Sequence, residues 1–107
     1  MKSTYKAVFL IPRDSRKTLS EDSWIIESQN RISESIAKTI CNSLGLNFKE
    51  SYENCTAYEG NEIKATVIHD EEGEIEQIYL QLFRKSAEKL KKELSETTLF
   101  NLEVFIP

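Results

Sequence analysis

An α+β fold is the expectation for this chain, and three observations carry it. Two stretches, Ser20 to Leu44 and about Lys85 to Glu96, place apolar residues at helical spacing. The segments around them alternate apolar and polar residues with a period of two. Turn-forming residues (Pro12, Gly45, Gly60-Asn61, Gly73) fall where one pattern gives way to the next. At 107 residues, 39% hydrophobic and 30% charged, the chain fits one globular domain, residues 1–107, with a core that needs neither disulfide nor metal.

The elements follow in order. Tyr5 to Ile11 is apolar on both faces, which predicts an inner strand, and Pro12 ends it. Arg13 to Thr18 is polar and predicts a loop. Ser20 is the N-cap candidate for the first helix, with Leu19 and Trp24 placed as a hydrophobic staple and Glu21 and Asp22 in the first turn. Ile25, Ile32, Ile36, Ala37, Ile40 and Leu44 trace its buried face. Gly45 supplies the left-handed residue that closes it, and Leu46 packs back on the last turn. Tyr52–Tyr58 and Ile63–Ile68 then read as a hairpin about Gly60-Asn61. Ile75–Phe83 reads as a third strand, with Ile78, Leu80 and Leu82 on one face and Gln77 and Gln81 on the other. A second helix, about Lys85 to Glu96, has a narrow stripe of Ala87, Leu90 and Leu94. Thr97 and Thr98 break it, and Leu99–Ile106 returns to a strand with Phe100, Leu102, Val104 and Ile106 on one side.

The order is thus β-α-β-β-β-α-β, with crossover helices joining parallel neighbours and hairpins between them. In that order the chain resembles the ferredoxin-like family with one extra strand in the middle meander. The resemblance spans the chain and rests on element order alone. It implies a mostly antiparallel sheet with two helices on one face, and no particular function.

Few residues point to catalysis. His69 is the single histidine, and Cys41 and Cys55 have no CxxC or zinc spacing. Cys41 falls on the apolar helix face as a small hydrophobe. A hairpin closing Glu59 on Glu62 sets Cys55 opposite Thr66 and His69 opposite Tyr52, three positions out of register. No glycine-rich phosphate loop, HExxH or GxSxG occurs. The expectation is therefore no catalytic residue, no metal and no cofactor. Arg13, Arg16 and Lys17 after the first strand, and Arg84, Lys85, Lys89, Lys91 and Lys92 around the second helix, read as solvated charge. The chain carries −4 overall, and no aromatic residues interleave with these cations, so direct nucleic-acid binding is not expected. No apolar run is long enough to cross a bilayer, and the N-terminal residues have no cleavage-site pattern, so a cytoplasmic protein is expected.

The informative feature is a charge split. Glu50 to Glu76 holds nine acids against Lys64 alone, a net of −8, and the rest of the chain is net +4. Clustered charge of one sign repels itself and raises the local potential for a cationic partner. The expected contact residues are Glu53, Glu59, Glu62, Asp70, Glu71, Glu72 and Glu74. "DEEGE" lacks the spacing of a calcium loop. In type, the chain resembles the small acidic immunity proteins of bacterial toxin systems, which neutralise basic nucleases. That resemblance implies a non-enzymatic inhibitor of a cationic toxin domain and transfers no residues. A second expectation is a ferredoxin-like sensing domain that dimerises through its sheet, with Trp24, Tyr52 or Tyr58 at a ligand cleft.

Overall fold

The computed structural model describes residues 5–84, 86–94 and 101–107. Among them the order is β1 (Lys6–Pro12), β2 (Arg16–Leu19), β3 (Trp24–Glu27), α1 (Glu34–Ser43), β4 (Asn47–Tyr52), β5 (Cys55–Gly60), β6 (Ile63–His69), β7 (Ile75–Leu82), α2 (Ala87–Glu93) and β8 (Leu102–Phe105). Six strands form one sheet in the order β4-β5-β6-β7-β1-β8, and β2-β3 form a separate hairpin. The α+β class and the helices sharing one sheet face agree with the sequence.

The expectation of parallel neighbours does not hold, since every neighbouring pair in the large sheet is antiparallel. Instead, β1 is inserted between β7 and β8, so the two strands that α2 connects are parallel to each other but never touch. The inner-strand reading of β1 is correct. Val8, Leu10 and Ile11 are fully buried, and both edges of the strand are paired. One continuous core joins Val8 and Leu10 to Ile63, Ala65 and Val67 of β6 and to Ile78, Leu80 and Leu82 of β7. It takes in Ile40 and Leu44 beside α1 and Leu90 and Leu94 beside α2.

The largest correction concerns Ser20 to Ser33. The helix begins only at Glu34, with Ser33 as N-cap accepting from the Ile36 amide at 3.2 Å. Upstream, Arg16–Leu19 is a strand rather than a loop, and it pairs with Trp24–Glu27, Leu19 facing Trp24. Ser20 does make a cap-like bond, its hydroxyl accepting from the Ser23 amide at 3.2 Å. The chain then doubles back, with Ser20 N–H donating to the Ser23 carbonyl at 2.9 Å. The β-branched and aromatic run Trp24-Ile25-Ile26 favours a strand over a helix. Trp24 stacks edge-on to Phe105 at 5.1 Å, Lys17 pairs with Glu103 and lies 5.3 Å above the Phe105 ring, and Glu103 stands opposite Ile11. The hairpin therefore packs on the helix-free face, at the corner where Ile11 is buried.

Two further registers differ. The predicted Tyr52–Tyr58 strand is split by a turn at Glu53-Asn54, with β4 on one side and β5 on the other. The β5–β6 hairpin closes Gly60 on Ile63, so Asn61-Glu62 form the turn and Cys55 faces Ile68. Within this turn Glu62 takes a positive φ of 64°. Gly60 serves another purpose: a Cβ there would lie 3.0 Å from the Gly45 carbonyl oxygen and 3.1 Å from Leu46 Cδ2. Gly45 ends α1 as expected, at φ 66°, with Leu46 N–H donating to the Cys41 carbonyl and Gly45 N–H to that of Asn42. For α2, Ser86 is the N-cap, its hydroxyl accepting from Lys89 N–H at 3.1 Å. Residues 95–100, which hold the Thr97-Thr98 break and Phe100, and Lys85 lie outside the described residues.

Gly60→Ala is expected to cost about 1–3 kcal/mol, because backbone rather than a flexible side chain must give way. Leu80→Ala, in the middle of the core, is expected to cost about 2–5 kcal/mol. Urea unfolding of each variant measures both, and a neutral Gly60→Ala would show that the helix end is not tied to β5 this closely.

Candidate functional site: the acidic end of the sheet

Strand direction decides which acids meet. Because β4, β5, β6 and β7 form an antiparallel meander, the β4–β5 turn (residues 53–54) and the β6–β7 turn (residues 70–74) lie at the same end of the sheet. They are stitched together there. His69 N–H donates to the Asn54 carbonyl at 2.8 Å, and Asn54 Nδ2 donates to the His69 carbonyl at 3.0 Å. A shallow groove of about 420 Å³ runs between the turns, with Glu53 on one wall and Asp70 and Glu71 on the other. Of the seven expected contact residues, five meet at this end: Glu53, Asp70, Glu71, Glu72 and Glu74.

The other two do not. Glu62 sits in the β5–β6 turn at the opposite end. Glu59 lies along β5, where Lys49 Nζ reaches its carboxylate at 3.0 Å. That bond holds the Glu59 carboxyl below its ordinary range.

Asp70 plays a different part from its neighbours. Its Oδ1 accepts from the amides of Glu72 and Glu74, each at 2.9 Å, and its Oδ2 accepts from Arg31 Nε at 2.9 Å. Its own amide donates to the Glu74 carbonyl at 2.8 Å. Both carboxylate oxygens are thus spent on building the turn. Arg31, first, and then the turn amides hold this carboxyl below its usual range. Glu71, Glu72 and Glu74 are left exposed around it. Arg31 is also anchored by the neighbouring bridge, in which Ile32 N–H donates to the Ile75 carbonyl at 2.9 Å. The sequence carried no signal for Arg31, which stands 39 residues from the acid it neutralises.

His69 is held between the β6–β7 turn and β5. Its Nδ1 lies 3.1 Å from the Gly73 carbonyl, which only accepts, so Nδ1 carries the proton. Nε2 lies 3.4 Å from the Thr56 hydroxyl. His69 and Thr56 also line a second cavity, about 380 Å³, between α1 and the sheet, together with Cys41, Tyr58, Val67 and Ile75. Burial pushes both the Cys41 thiol and the Tyr58 phenol up, so neither is poised as a nucleophile or base. Cys55 faces Ile68 and so lies on the opposite sheet face from His69. Both cysteines are free thiols.

One oxygen each from Asp70, Glu72 and Glu74 comes within 4.8 Å of the others, the kind of donor set that suits a hard cation. Asp70 already accepts from two amides and a guanidinium, and those bonds compete with a cation for its oxygens. Arg13, the leading residue of the expected basic loop, follows β1 at this same end and lines a separate cavity of about 400 Å³ with Asn30, Ser33 and Asn101. Lys17 is spent on Glu103. Lys89, Lys91 and Lys92 of α2 are exposed, as expected. Among the described residues no helix is long and apolar enough to cross a membrane.

Compared with protein-family models, curated proteins and solved structures, the chain matches none of them.

The depressed Asp70 pKa has a pH signature. A carboxyl whose folded pKa lies below its unfolded value of about 3.9 adds stability that is fully present above that value and is lost as pH falls through the folded pKa. Asp70→Asn is therefore expected to melt below the wild type at pH 7, with the gap closing as pH falls toward about 3. Thermal melts across that range test it, and a gap independent of pH would show that the ionised carboxylate is not what holds the turn.

Proposed function

We propose that this chain is a non-enzymatic protein-binding module that docks a basic partner on the acidic end of its sheet. The observation that carries the reading is the meeting of Glu53 with Glu71 across one groove, with Glu72 and Glu74 exposed on the same turn, while the Arg31 guanidinium beside them is consumed by Asp70. Exposed carboxylates on a hydrogen-bonded double turn give a preformed field, which speeds encounter with a cationic surface and selects for it. The small size, the acidic balance and a thiol pushed away from reactivity favour an immunity or inhibitor protein that neutralises a basic, nuclease-like toxin. Glu59 and Glu62 belong outside the contact in this reading. The polypeptide encoded beside this chain's gene is the first partner to test.

A sensing domain of the ferredoxin-like type is the second reading. The insertion of β1 between the α2-linked strands β7 and β8, and the cavity beneath α1, favour it. Tyr58 lines that cavity, whereas Trp24 is occupied by Phe105 and Tyr52 is exposed on the edge strand.

Stopped-flow association with the partner is the test. The variant E53Q/E71Q/E72Q/E74Q is expected to associate about ten-fold or more slowly at low salt. The wild-type rate should fall steeply between about 20 mM and about 500 mM salt as the Debye length shrinks. An association rate indifferent to both salt and the four substitutions would remove the acidic end from the interface.

A further inference from the structure

We propose that the free edge of β4 pairs with β4 of a second copy of this chain, joining two six-stranded sheets across a two-fold axis. Among the described residues β4 is one of the two terminal strands of the sheet, and all six of its residues are exposed, Phe48 by 64% and Tyr52 by 51%. No buried side chain ties it to the core. An edge of this kind is a ready template for another strand.

The bulge in β4 sets the register. Side chains of a regular strand alternate between faces, and a two-fold axis perpendicular to the sheet pairs only residues that share a face. A regular strand therefore cannot place a residue opposite its own immediate neighbour in a second copy. β4 is not regular: Phe48 stands opposite Tyr58, Glu50 opposite Ala57, and Lys49 is the extra residue between them. Lys49 Nζ reaches Glu59, which shares the face of Ala57. Lys49 and Glu50 therefore lie on the same face, the one without helices.

With the axis between these two residues, every pairing matches in face. Asn47 stands opposite Tyr52 of the second copy, Phe48 opposite Ser51, and Lys49 opposite Glu50. Symmetry repeats each contact, so two cross-strand ion pairs flank the axis, each Lys49 being shared between Glu59 of its own chain and Glu50 of the second copy. A shift of one residue either way sets Lys49 on Lys49 or Glu50 on Glu50 and also mismatches the faces. The pairing leaves the turns at 53–54 and 70–74 open, at opposite ends of the joined sheet, so it does not depend on the acidic end having a partner.

Sedimentation equilibrium of the full chain, from about 5 μM to about 1 mM, reads the outcome. The wild type is expected to rise from its monomer mass of 12.4 kDa toward twice that value. Glu50→Lys leaves the Lys49–Glu59 pair intact and sets lysine against lysine, so it should weaken the dimer about ten-fold. Lys49→Glu should weaken it similarly. The double variant K49E/E50K should recover to within about three-fold of wild type, and mixing the two single variants should form the heterodimer. Circular dichroism confirms that each variant is folded. A wild type that stays monomeric throughout, a dimer indifferent to Glu50→Lys, or a double variant as weak as the singles would overturn the proposal.

Discussion

β1 is the strand on which the rest of the molecule depends. Among the described residues it is the one strand apolar on both faces and hydrogen-bonded along both edges, with Val8, Leu10 and Ile11 fully buried. Burying both faces of a strand requires two covering layers. α1 and α2 supply the first, over Val8 and Leu10. The β2–β3 hairpin supplies a partial second at the Ile11 corner, held by Trp24 on Phe105 and by Lys17 on Glu103. The aromatic row of Phe9, Tyr79 and Phe105 completes the helix-free face there, with Phe9 5.0 Å from Tyr79 and 6.2 Å from Phe105.

The covering thins out away from β1, and the charge follows it. β6 and β7 bury alternate residues against the helices, β5 is only half-buried, and β4 buries nothing. The acidic segment Glu50–Glu76 occupies this thinly covered flank and its turns. Carboxylates there keep their hydration, which is the condition under which clustered like charge costs least. The split in charge along the sequence is therefore also a split between a two-layered half of the sheet and a solvated one. β4 is held by backbone pairing, Lys49–Glu59 and the contact of Phe48 with Tyr58 rather than by burial.

What was legible in the sequence were the segments where a local pattern and its tertiary use coincide. The alternation in β7 reports burial directly, and Gly45 with Leu46 closes α1 by a purely local bond pattern. Ser20-Glu21-Asp22-Ser23 misled because a serine oxygen accepting an amide three residues on begins a helix and a tight turn equally well. The apparent helical face then ran through Ile25, which is 45% exposed on the hairpin, and Ile32, which is buried by a bridge to Ile75 outside the helix. The hairpin register was missed because Gly60 suggested a turn glycine, whereas the approach of Gly45 and Leu46, fifteen and fourteen residues earlier in the chain, is what requires it. At the acidic end the charges were visible, and their sorting was not. Which carboxylates converge depends on strand direction, and which one is spent depends on Arg31.

The division of labour at that end bears on why the cluster exists. A turn of the shape seen at residues 70–74 needs one acceptor for its two amides, and Asp70 fills that role with Arg31 as its counter-charge. Glu71, Glu72 and Glu74 add nothing to that bonding through their side chains, and Glu53 approaches from a separate turn across the groove. Glu74 does add a Coulombic attraction to Arg31, which the mutual repulsion of the neighbouring carboxylates works against. Four exposed carboxylates thus stand together beside a fifth already neutralised by Arg31. Such a field suits the oppositely charged surface proposed above as its partner.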